Sequence, residues 1–207
     1  MCYEISVDKR LKVEGDGVRL EPLSAAHLPF LRACANDPAL WELTFGVNPF
    51  TNDAGARAWL EQTLADPAQV AFAIVDKRSG EVAGSTRYME IVTEHRKLEI
   101  GWTFLARRFW RTHVNTEMKF LLLRHAFENW NAIRVQFKAE SINERSRAAI
   151  LRLGAAYEGT LRNFRIRPSD GSIRSVSFYS VTTEEWPAVK ERLLRLLDQS
   201  LYNRASG

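Results

Sequence analysis

The chain predicts an α+β fold, a mixed and mainly antiparallel sheet with helices on both faces. Three observations carry this. Segments that alternate apolar and polar residues follow one another through tight turns between residues 70 and 105. Segments with apolar residues three and four apart stand before and after them. With 207 residues, 45% of them apolar and six of them Trp, the chain also has ample material for one domain over residues 1–207.

Residues 18–23 read as a strand, and Ser24 is positioned to cap a helix over 25–35 with Leu28, Leu31 and Cys34 as its buried stripe. A second helix starts near 51–53, where Thr51, Asn52 or Asp53 can cap it, and carries Trp59, Leu60 and Leu64. Trp41, Phe45, Phe50 and Trp59 are read as core packing. Strands over 70–76, 81–92 and from Leu98 onward form an antiparallel meander, with turns at 77–80 and 93–97. In the third of these, Leu98, Ile100, Trp102 and Phe104 alternate on one face and Glu99, Gly101 and Thr103 on the other.

From about Thr112 the period becomes helical through Val114, Met118, Leu121, Leu122, His125 and Ala126, and the helix ends near Trp130 with Asn129 and Asn131 as stop signals. Residues 133–139 alternate as another strand. Asn143 then caps a helix with Glu144 in its first turn and Gly154 just past its end. A strand pair over 157–162 and 172–181 turns at Ser169-Asp170-Gly171. Thr182 or Thr183 caps a closing helix with Glu184 and Glu185 in its first turn and Trp186, Val189, Leu193, Leu196 and Leu197 as its stripe. The tail from Ser200 is expected to be loose.

No apolar run reaches membrane-spanning length and the first residues do not read as a signal peptide, so a cytoplasmic location without a membrane partner is expected. Cys2 and Cys34 lack disulfide-framework or metal-site spacing, and no metal is expected. The net charge of +4 and pI near 9.2 are mild; nucleic acid has only these and scattered Arg behind it, whereas a ligand with several phosphates also calls for basic residues.

The stretch of most chemical interest is the strand from Leu98, the basic loop 106–112 and the helix that follows. Backbone N–H groups and the helix dipole at such a junction face an anion. Here the order strand, Arg108, five residues, helix resembles the acyl-CoA signature of the GNAT N-acetyltransferases, with Arg111 and His113 standing where that family has small residues. The segment Asn143-Glu-Arg-Ser146, Leu153-Gly154, Glu158-Gly159-Thr-Leu161-Arg162 matches the later part of the family at the right distance. The branch it most resembles is the ribosomal-protein-acetyltransferase type, RimJ/RimL-like. The resemblance implies a GNAT-like fold, acetyl-CoA as acyl donor and an amine-bearing acceptor, either a small molecule or a protein N-terminus.

Transfer of an acyl group to an amine asks for a base, for stabilisation of the carbonyl oxygen and for a proton on the leaving thiolate. The resemblance assigns the cofactor to Phe104, Leu105, Arg108, Trp110, Arg111, Thr112, His113, Val114 and Asn115, with Arg107 adding charge and Asn143 reaching the pantetheine arm. Asn143 is also a helix cap by sequence alone, and His113 also reads as structural. Ser146 resembles the residue that protonates the thiolate, and is equally a first-turn polar residue. Glu99, beside the room left by Gly101, matches the position of the general base; the competing expectation pairs it with cross-strand Arg87 or Lys97, and Glu90 is the substitute base. The oxyanion donor is expected to be a backbone N–H near Phe104–Leu105. A larger acyl group such as succinyl, and a binding or regulatory module without tight cofactor binding, remain open alternatives, as does a homodimer formed through the last strands.

Overall fold

The computed structural model describes residues 5, 7–43 and 47–205, with the side chains from 200 onward left aside. Phe45 and Cys2 lie outside the described residues. Strands β1 (Val13–Glu14), β2 (Val18–Pro22), β3 (Val70–Asp76), β4 (Val82–Val92), β5 (Lys97–Leu105), β6 (Arg134–Glu140), β7 (Ala156–Ile166) and β8 (Ile173–Thr182) form one sheet in the order β1-β2-β3-β4-β5-β6-β8-β7. Every pair of neighbours is antiparallel except β5 and β6, which run parallel. The expected mixed, mainly antiparallel sheet is therefore present. β1 was not foreseen, because two residues carry no period.

Helices α1 (Leu28–Cys34) and α2 (Asp53–Ala65) cover one face, where Leu31, Phe50, Ala56 and Leu60 pack on Ala71 and Ala73. Helices α3 (His113–Arg124), α4 (Glu144–Leu153) and α5 (Trp186–Ala205) cover the other, where Met118, Leu121, Ile150, Leu153, Val189 and Leu193 join the main core. The caps follow the side-chain chemistry. Asn52 Oδ1 accepts from Gly55 N–H, Thr112 Oγ1 from Val114 N–H and Asn143 Oδ1 from Ser146 N–H. Gly154 ends α4 at φ 104°, in the left-handed region. The helix expected over 25–35 is shorter, a 3-10 turn at Ala25–His27 leading into α1. The tail expected to be loose from Ser200 continues as α5 to Ala205. No helix among the described residues is long and apolar enough to cross a membrane.

α3 is the best anchored element. Met118, Leu122 and Leu123 are fully buried, and Tyr88 Oη donates to the Leu122 carbonyl at 2.6 Å. Glu117 on the same helix accepts from Gly17 N–H at 2.7 Å and Val18 N–H at 3.2 Å, which ties the β1–β2 turn to it. The long, mostly exposed β7 forms the free edge of the sheet, with Leu161 and Ile166 among its exposed apolar residues.

His125 packs against Tyr88 and Trp130. Burial pushes both His113 and His125 below their ordinary value. A depressed histidine favours the neutral folded form, so its contribution is present above the unfolded value near 6.5 and is lost as pH falls through the folded one. The melting temperature is expected to drop as pH is lowered from ~6.5 to ~5. His125→Phe, which keeps a ring in the same apolar slot, should flatten that dependence in thermal melts across the series.

Candidate active site

The site begins with a break in the sheet. β5 and β6 pair only from Lys97↔Arg134 to Glu99↔Gln136. Beyond that β5 follows β4 to Leu105, β6 follows β8 to Glu140, and a V-shaped gap opens between them. The turning point is a bulge at Trp102, which sits at φ 48°. Between the pairs Arg87↔Gly101 and Ser85↔Phe104, β5 uses one residue more than β4. A left-handed Trp costs roughly 1–2 kcal/mol. The bulge also corrects the simple alternation. Leu98 and Ile100 face α3, but past the bulge Phe104 packs on Trp41 and Phe50, Trp102 stacks with Arg87, and it is Thr103 that meets α3.

Glu99 stands where the pairing ends. It is 5% exposed, 2.7 Å from Lys138 Nζ, and accepts from Gln136 Nε2 at 3.1 Å. Burial pushes its carboxyl above the ordinary value against the pull of Lys138 and Gln136, and the Glu90 charge adds to the rise. Lys138 also bridges to Glu90 at 2.7 Å, so a buried and a half-exposed carboxylate share one ammonium. The expected pairing with Arg87 or Lys97 is not what forms: Arg87 donates to Gln69 at 2.8 Å and lies over the rings of Trp59 and Trp102. Gly101 does leave the room. A Cβ there would stand 2.9 Å from Glu99 Oε1 and 2.8 Å from Met89 Sδ.

At the mouth of the gap the loop folds into α3. Leu105, Ala106 and Phe109 are buried and fix its base, and Trp110 Nε1 donates to the Leu105 carbonyl at 2.8 Å. Arg111 lies at φ 59°, the left-handed conformation that glycine adopts without strain, so the chain makes the turn despite the larger residue. Its side chain is exposed, out of the path of the backbone. The first-turn amides of α3 have no intrahelical acceptors; that of Val114 is taken by the Thr112 cap, and those of His113 and Asn115 belong to the same turn. A loop with this backbone and Arg107, Arg108 and Arg111 around it fits a diphosphate. The guanidinium of Arg108 is engaged by Glu81 at 3.2 Å and that of Arg107 by Asp37 at 3.6 Å, so they supply field before direct contact.

The His113 side chain turns toward Asp76 of β3 and the turn between β1 and β2. Its ring is buried, Nε2 is 3.1 Å from Asp76 Oδ1, and Gly17 has no side chain because a Cβ there would meet the ring at 2.7 Å. Asn143 uses both ends of its amide within the protein, as cap of α4 and as donor to the Leu43 carbonyl at 2.9 Å; one lone pair and one N–H stay over. Ser146 is partly buried in the first turn of α4. Trp41, Phe50, Trp59 and Phe104 form a contiguous aromatic cluster on the α2 face, as core packing requires. Sequence reasoning missed Lys138 and Gln136. Their common face on β6 was legible in the period, but their meeting with Glu99 depends on β5 and β6 being neighbours.

Residues 18–156 match the family model described as an acetyltransferase (GNAT) domain, and the chain belongs to that family. It is 27% identical over 144 residues to the uncharacterized N-acetyltransferase p20 of Bacillus licheniformis, covering 68% of this chain and 79% of that one. A crystal structure of a GCN5-related N-acetyltransferase from Brucella melitensis superimposes with a TM-score of 0.87 at 29% identity, covering 94% of this chain and 89% of the other. A protein from T. thermophilus assigned as an acetyltransferase is 44% identical, with a TM-score of 0.80 and coverage of 90% and 96%. The chain is an acetyltransferase of the GNAT family.

Gly101→Ala would drive a methyl group into the Glu99 carboxylate and Met89. The expected outcome is a melting temperature lowered by a few degrees, for a cost of about 1–2 kcal/mol, with acetyl transfer reduced at least about tenfold. Paired melts and rate measurements check it.

Proposed function

We propose that residues 1–207 act as one domain that moves an acetyl group from acetyl-CoA to a primary amine, of a small molecule or a protein N-terminus, by direct attack. The observation that carries this is the placement of Glu99: a buried carboxylate at the point where the sheet opens, with the N-terminus of α3 at the mouth of the same opening. Acetyl-CoA, when bound, supplies the acyl group as an activated thioester. The first-turn amides of His113 and Asn115, beside the cap formed by Thr112 and Val114, hold the diphosphate, and Arg107, Arg108 and Arg111 add positive charge. Phe104, Leu105, Trp110 and the spare N–H of Asn143 line the pantetheine arm.

Glu99 takes the proton of the attacking amine as the C–N bond forms, and Glu90, sharing Lys138 with it, offers a route for that proton toward solvent. The C–S bond breaks with its electron pair on sulfur, and Ser146 passes a proton there and takes one back from solvent. The segment from Asn143 to Ser146 supports the RimJ/RimL-like branch. An intracellular setting agrees with a coenzyme A donor, and the free β7 edge supports pairing of two copies, which sedimentation at micromolar concentration tests.

Titration calorimetry with acetyl-CoA is expected to give saturable heat at tens of micromolar or below; none would favour a binding or regulatory module instead. In an amine screen that reads released thiol, wild-type rates should rise with pH through a limb set above the ordinary carboxylate value, because the raised Glu99 must be ionised. Glu99→Gln should lose that limb and roughly 10²–10⁴-fold in rate, the range general-base removal gives. A Glu99→Gln enzyme with an unchanged profile removes Glu99 from the mechanism.

A further inference from the structure

Lys119 has no part in the reaction as derived so far, yet it is among the most unusual groups in the molecule. It stands on α3, in the second turn, and points into the sheet. Its residue is 6% exposed, and Nζ donates to Thr103 Oγ1 at 2.9 Å and lies 5.4 Å from the centre of the Phe137 ring. Thr103 belongs to β5 and Phe137 to β6, and both lie beyond Glu99↔Gln136, where those strands no longer pair. The ammonium therefore forms the floor of the V-shaped gap.

An ammonium has three donors and ordinarily keeps them in water or on carboxylates. Here the side-chain partner is a hydroxyl already shared with Thr86, 2.7 Å from Thr103 Oγ1, and the rest of the shell is the apolar core of α3 and β6. Burial of a charge with so little compensation is costly unless an anion arrives to use it. Glu99 and Lys119 lie on opposite faces of the sheet, one on the α2 side and the other on the α3 side, with the gap between them. The acceptor amine meets Glu99. The thiol belongs to a coenzyme whose diphosphate, on the acetyl-CoA reading, sits at the N-terminus of α3, the helix that carries Lys119.

We propose that Lys119 is a catalytic residue that stabilises the departing thiolate from beneath the gap. This rests on the acetyl-CoA reading above. When the C–S bond breaks, its electron pair goes to sulfur; the Lys119 ammonium forms an ion pair with it in an apolar setting, where such an attraction is strong, and the proton that completes the thiol comes from Ser146 or solvent. Burial pushes Lys119 down to about 7, with Glu99 the charge that holds it up. Arg152 of α4 is a second cation, held by Thr116 of α3 at 2.9 Å, and Glu117 is turned to Gly17 and Val18, so neither gives Lys119 a counter-ion.

The test uses coenzyme A itself, with no acceptor needed. Its thiol is titrated by the ultraviolet absorbance of the thiolate, free and bound to the full-length protein, with binding followed by calorimetry. Bound to wild type, the thiol should ionise at least about tenfold more readily than in free coenzyme A, as an adjacent opposite charge dictates. Lys119→Arg should keep that shift and Lys119→Met should lose it while still binding coenzyme A. Wild type that binds coenzyme A with an unshifted thiol overturns this inference alone, whatever the variants do. A folded Lys119→Met that keeps the full shift overturns it as well. Wild type that does not bind coenzyme A overturns the cofactor reading and this inference together.

Discussion

The bulge at Trp102 is the constraint on which the site depends. A parallel pair of strands that stayed in register would satisfy its own N–H and C=O groups along its whole length and leave no opening. One extra residue in β5, held in a left-handed conformation by its pairing with β4, bends the strand away from β6 after Glu99↔Gln136. The same residue exchanges the faces of everything downstream. It sends Phe104 to the aromatic cluster with Trp41 and Phe50 and presents Thr103 to Lys119. Strain at this one position thus produces both the opening and the identity of the side chains that line it.

The opening is flanked by charges that a purely structural sheet would avoid. Glu99, Lys138 and Lys119 come from three different elements, and two of them are almost completely buried. Their burial is tolerable because β4, β5, β6 and α3 are fixed by an apolar core that does not depend on them: Tyr88, Met118, Leu122, Val135 and Tyr179 are all fully buried. A rigid frame of this kind holds ionisable groups in a medium that raises a carboxylate, the direction a base needs, and lowers an ammonium, which an anion beside it then favours in its charged form.

The loop before α3 shows backbone chemistry surviving a change of side chains. The family pattern has small residues where this chain has Arg111 and His113. Arg111 nevertheless takes the conformation that favours glycine and turns its side chain to solvent, while His113 is swallowed into a slot between Asp76 and Gly17. What an anion would meet at the helix end is amide N–H, and that is unchanged by either residue. Gly17, under the imidazole ring, supplies the space that ring needs.

The order of elements, the cap at Asn143 and the stop at Gly154 were determined by local information; the family resemblance marked Glu99 beside Gly101, and the structure chose Asn52 among the three candidate caps of α2 and added the cap at Thr112. Period, capping chemistry and the absence of a side chain act within a few residues. What only the tertiary structure decided is which residues from distant segments meet: β6 beside β5, and so Lys138 and Gln136 on Glu99; Lys119 beneath Thr103; His113 against Asp76. The bulge escaped the sequence because Trp102 continues an unbroken alternation, and its left-handed backbone is imposed by pairing with β4. Periodicity reports which face a residue prefers, whereas register and strand order are set by the packing of the whole sheet, and the chemistry here is done by groups that only that packing brings together.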